Sequence, residues 1–210
     1  MCIRDSFRSE RFPRGLRGIG TLHARVLRRV NEDTVKAELA AEECLIAHER
    51  GRGFLLEHPR NTLARFLPAW ARLLSRPGVY QVEYHRCMFE PCRLHKFQLL
   101  ITNMSELVTA VSRTCSTRTV CARTGEEHES MTPRVGPTGC VFFPKVALRE
   151  PPRELCQLMA GAILEWARGD AGGEPSDYDF VEIFGGFRSP LTEAVREAAS
   201  KGKEAPPALA

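Results

Sequence analysis

Nowhere does the chain hold an apolar run near the ~18 residues that cross a membrane as a helix, so a membrane-spanning helix is excluded. No apolar stretch follows the N-terminal arginines, so no secretion signal is expected. The eight cysteines are irregularly spaced and include no Cys-x2-Cys pair, which argues against a disulfide scaffold and for reduced thiols in an intracellular protein. Charge of one sign is not in excess either. The net charge of +4 does not by itself call for nucleic acid. There is no solenoid-type repeat. What remains is the composition of a globular protein, 43% apolar and 27% charged over 210 residues, enough for one domain with tails.

The most informative stretch is Gly51-Arg52-Gly53-Phe54-Leu55-Leu56-Glu57-His58-Pro59. Two glycines can end a helix. Phe54 to Leu56 have the length and apolarity of a buried strand. Glu57 stands at the strand's carboxyl end, where open parallel sheets bind ligands. Pro59 has no N–H to give a neighbour and stops the pairing. The same residues also fit a plain strand end with a solvated glutamate.

Upstream, Met1-Cys2-Ile3-Arg4-Asp5-Ser6 resembles a translated sequencing adapter, and such a segment is left out of fold reasoning. Residues 7–29 carry seven arginines and read as a disordered basic arm, able to touch phosphates of DNA or another nucleic acid. Asn31 can cap a helix to about Arg50, with Val35, Leu39 and Ile46 on one face and Gly51 as its left-handed stop. Pro68 suits the first turn of a helix that buries Trp70, Leu73 and Leu74. Strands are expected at 79–88 and 96–102, paired antiparallel across a short connection. Asn103 and Glu106 form a capping-box-like helix start. Pro152 opens the clearest helix, where Leu155, Met159, Ala162, Ile163 and Trp166 keep one face to Gly169. After a linker at 170–176, a strand, Gly185-Gly186 and a helix fill 177–200. Residues 201–210 read as a disordered tail.

Residues 114–150 lack clean periodicity but hold Cys115, Cys121, His128 and Cys140. These four have the chemistry of zinc ligands. The spacing is not that of a finger or ribbon, which use a close Cys pair, so unrelated thiols in a loop are the plainer expectation. His85 and His95 are expected on the surface of the strand pair.

The order of these elements resembles the second half of the DNA cytosine-5 methyltransferase domain, and more closely the degenerate methyltransferase-like modules of mobile-element polyproteins. Glu57-His58-Pro59, Cys87-Met88-Phe89, Lys96 through Asn103, the Cys/His segment and the Pro-initiated helix carry the resemblance, from about Gly53 to Trp166. It implies a partial Rossmann-like α/β fold for 30–169, with a three-layer, mostly parallel sheet and one antiparallel strand pair. It implies Glu57 as the catalytic carboxylate on the target cytosine. It also implies S-adenosylmethionine as the cofactor of an intact parent, with Gly185 and Gly186 resembling the glycine loop of its binding site. The chain departs from the family in having His58 for an asparagine and in lacking a Pro-Cys nucleophile before the Glu57 strand. The expectation is therefore an inactive methyltransferase-like fragment, or else a non-catalytic nucleic-acid-binding or structural module, with or without zinc.

Overall fold

The computed structural model describes residues 9–15, 24–60, 62–90, 92–129, 134–135, 141–142, 151–171, 181–182 and 190–201. Residues 1–6, Cys140, Gly185, Gly186 and the tail beyond Lys201 lie outside the described residues. In chain order the elements are α1 (Ala24–Glu49), β1 (Phe54–Pro59), α2 (Pro68–Leu74), β2 (Tyr80–His85), β3 (Phe97–Thr102) and α3 (Ser105–Val111). They continue with β4 (Arg134–Val135), β5 (Val141–Phe142), α4 (Arg153–Ala171), β6 (Val181–Glu182) and α5 (Pro190–Lys201).

The sheet is not the mostly parallel Rossmann-like one expected. Its order is β2-β3-β1-β6, and β1, β3 and β2 make a small antiparallel sheet. Only β6 adds a parallel contact, pairing Phe54 with Val181 and Leu55 with Glu182. The antiparallel pairing of β2 with β3 is as expected, since the connection between them is short and a parallel neighbour needs a longer crossover. The difference lies at β1, which belongs to the same antiparallel sheet. There β3 inserts between β1 and β2. The apolar run misleads because a strand buried on both faces looks alike in either kind of sheet. Phe54, Leu55 and Leu56 are all buried, and alternation puts Leu55 on the face opposite the other two.

Two units compose the chain, one of 1–81, 99–104 and 178–184, the other of 82–98, 105–177 and 185–210. In the first, α1 and α2 pack with Phe54, Leu56, Leu99 and Ile101 into one core. The α1 surface in that core is built from small residues, Ala37, Ala40, Ala41 and Cys44, with Leu45 beside them. Small side chains let the Trp70 ring come close, and its Nε1–H donates to the Ala37 carbonyl at 2.8 Å. Val35, Leu39 and Ile46, the face chosen by size of side chain, point to solvent. Asn31 lies inside α1 rather than at its start. The C-terminal stop is as expected: Gly51 has φ +65°, its N–H reaches His48 O, and Arg52 N–H reaches back to Ala47 O. Asn103 does not act as a cap. Its side chain accepts the Phe54 N–H at 3.0 Å and donates to Arg52 O at 2.8 Å, while Thr102 Oγ1 donates to Phe54 O at 2.7 Å. The Thr-Asn end of β3 is thereby lashed to the start of β1.

In the second unit α4 packs against α3 and α5. Leu155, Met159, Ala162, Ile163 and Trp166 are all buried, as their spacing predicts. Among the described residues no helix is long and apolar enough to cross a membrane.

Candidate metal centre

The 3-10 turn that ends β2 points Cys87 inward, where it is fully buried. Cys115 follows α3, in a segment fastened where His85 N–H donates to Arg113 O at 3.0 Å. Cys121 and His128 stand on the two arms of a hairpin. Val120 bridges Glu127, Cys121 N–H donates to Glu126 O at 2.7 Å, and His128 N–H donates to Thr119 O at 2.8 Å. Gly125 turns the hairpin with φ +70°, a conformation that a side chain would strain.

These elements bring the sulfurs of Cys87, Cys115 and Cys121 and a ring nitrogen of His128 within 4.8 Å of one another. Such a Cys3His cluster could hold a metal ion such as zinc. Cys115 Sγ and His128 Nε2 are 3.7 Å apart. With zinc at about 2.3 Å from sulfur and about 2.0 Å from nitrogen, the ligand atoms of a tetrahedron stand roughly 3.5–3.8 Å apart. One edge of the cluster already has that length.

The atoms around the ligands suit a cation. His128 Nδ1 lies 3.0 Å from Arg118 O. A carbonyl only accepts, so Nδ1 carries a proton and Nε2 is the ring nitrogen that faces the sulfurs, free to bind a metal once it gives up any proton of its own. Ala122 N–H donates to Cys115 Sγ at 3.3 Å. Burial raises the Cys121 thiol, but the backbone N–H groups of Thr124 and Arg123 and the His128 ring outweigh it, bringing it down to about 6. Cys115 is likewise lowered, burial being outweighed by backbone donors from Ala122 and Thr117. Cys87 goes the other way, raised first by burial and then by the two neighbouring sulfurs. Cys121 is ready as a thiolate at neutral pH, Cys115 is shifted in the same direction, and Cys87 ionises when a cation arrives to offset the repulsion. His128 is raised, its burial outweighed by the Arg118 carbonyl and the sulfurs.

Of the four residues singled out by chemistry, the structure brings Cys115, Cys121 and His128 together, and the loop reading of these thiols gives way to a cluster. Cys140 lies outside the described residues, and Cys87 completes the set. The signal for Cys87 was its place at a strand end, the same end to which the Cys/His segment returns. Glu57 sits half-buried on β1 in the first unit. Its neighbour His58 meets the Trp70 ring edge-on at 4.7 Å.

Beside the cluster, Arg123 Nε donates to Cys87 O at 3.0 Å and its guanidinium pairs with Glu90 at 2.9 Å. Arg113 pairs with Glu154 at 2.7 Å, and Glu154 also accepts the Glu90 N–H at 2.6 Å. These bonds tie the hairpin and the turn after β2 to the start of α4. No protein-family model, curated protein or solved structure matches this chain.

Proposed function

We propose that the chain is a non-catalytic structural or binding module whose second unit is fastened by one zinc ion held by Cys87, Cys115, Cys121 and His128. The convergence of the four ligand atoms within 4.8 Å carries this reading. Three thiolates and an imidazole in a tetrahedral arrangement favour zinc among the common metals. Four protein ligands leave no open position for water or substrate, and that is the pattern of a structural site rather than a catalytic one. The ion would bind the segment after α3 and the hairpin to the end of β2, in a region with few apolar contacts of its own. A binding role for nucleic acid would come from the arginines outside this centre.

The same assignment bears on methyl transfer. That chemistry needs a free thiolate poised at a flipped base. Cys87, which stands in the Cys-x-Phe strand of the resemblance, would instead be a metal ligand.

Native mass spectrometry of protein purified without chelator tests the proposal. One zinc per chain is expected, lost in Cys115→Ser and in Cys87→Ser. Folded protein that carries no metal and takes none up from a zinc buffer would overturn it.

A further inference from the structure

His85 is not a surface residue of the strand pair, and His95 is half-buried just before β3. His85 is 1% exposed. Its Nδ1 accepts the backbone N–H of Cys115 at 2.7 Å. The His95 ring stacks on His85, with centroids 4.4 Å apart and planes 21° apart. His95 also hydrogen-bonds to the Cys115 backbone. On its other side His95 meets His128 at 4.7 Å. Phe97 closes the column against His85, its centroid 3.5 Å away. One ligand, Cys115, is thus held by its main chain, and another, His128, by its ring face.

We infer that His85 and His95 are positioning residues of the metal centre, a bracket that sets Cys115 and His128 in place before a metal ion arrives. The inference rests on the proposed metal centre. Cys115 lies in an irregular segment between α3 and the hairpin, with no ladder of its own to fix it. Ordering such a backbone costs conformational entropy. When the bracket does this in the metal-free chain, the cost no longer falls on binding, and the ion meets a site near its final shape. Apolar packing alone would serve as well with leucine at either position. A hydrogen-bonding bracket would not.

The test compares the full chain with His85→Leu, His85→Asn and His95→Leu. Zinc affinity is measured by competition with a chromophoric chelator, and geometry by the absorption bands of the cobalt(II) form. His85→Leu should weaken zinc binding tenfold or more, in line with the about 10–100-fold cost of losing an outer partner. Its cobalt bands should fall in intensity as the tetrahedron loosens. His85→Asn keeps an acceptor for the Cys115 N–H and should recover most of the affinity. His95→Leu should weaken binding as well. In metal-free wild type the Cys115 amide should exchange slowly with solvent, a measurement that needs no variant. Leucine variants that stay folded and match wild type in affinity and cobalt spectrum overturn the bracket alone. So does a Cys115 amide that exchanges at the rate of an unstructured chain. A folded wild type that takes up no metal overturns the centre, and the bracket with it.

Discussion

Burial against the Trp70 ring drives the His58 imidazole down to about 4, against the smaller upward pull of Glu57. In an unfolded chain the ring takes its proton near pH 6.5. Between those values the unfolded chain binds a proton that the folded chain refuses. Stability is therefore full above about 6.5, falls as pH drops through the window, and levels off below the folded value. The loss reaches up to about 3 kcal/mol for this one group. His58→Phe should remove it while keeping the ring contact. Thermal melts at pH 7 and pH 4.5 check this: wild type should lose more than the variant, and equal losses would count against a neutral buried imidazole. Carboxylates titrate in both proteins and cancel. At this scale the sequence was a partial guide. It marked Cys115, Cys121 and His128 by their chemistry. It did not mark Cys87, because a ligand contributed by a different element leaves no spacing to read. The burial of His85 was not legible, because a strand's own residues do not say what lies over its face.

Helix α4 and helix α1 show why some elements were legible and others not. Along α4 Leu155, Met159, Ile163 and Trp166 fall on one side and are all buried, so pattern and burial agree there. Along α1 Val35, Leu39 and Ile46 lie away from the small residues that, with Leu45, form the core side, and the partner brings Trp70, which needs small residues opposite it. Size alone then selects the wrong face. Strand positions and the antiparallel pair of β2 and β3 were readable, but the direction of β1 in the sheet was not, since it follows from where β3 inserts. The ligand hairpin differs from both helices in being held by few hydrogen bonds and the Arg123 ties rather than by an apolar core. Chelation of the metal should therefore loosen the hairpin at 119–128 and leave Cys115 in its bracket and α3, α4 and α5 packed. Far-UV circular dichroism before and after chelator should change little, while amide exchange should rise sharply in the hairpin. Loss of most helical signal on chelation would show that the ion holds up the whole unit.

For the chain as a whole, cytosine methyl transfer demands a nucleophilic thiolate, a carboxylate on the base and a bound methyl donor. Removing a nucleophile costs orders of magnitude in rate. The remaining buried thiol upstream of β1, Cys44, sits in the core of α1 and is raised to about 12 by burial and by Glu43. No methyl transfer to DNA above background is expected from this chain in a radiolabelled-donor assay. Transfer that Glu57→Gln abolishes would overturn that expectation and return Cys87 to the role of nucleophile.

The ligands of the proposed centre lie on separate elements, with β3 and α3 between Cys87 and Cys115. A ribosome adding about 5–20 residues per second delivers Cys87 a few seconds before His128. Through that interval the nascent chain cannot close the centre. Cys87, which is wholly covered in the folded chain, is then an open thiol. A metal ion could fill the proposed centre only after the order of synthesis has brought its four ligands out in turn.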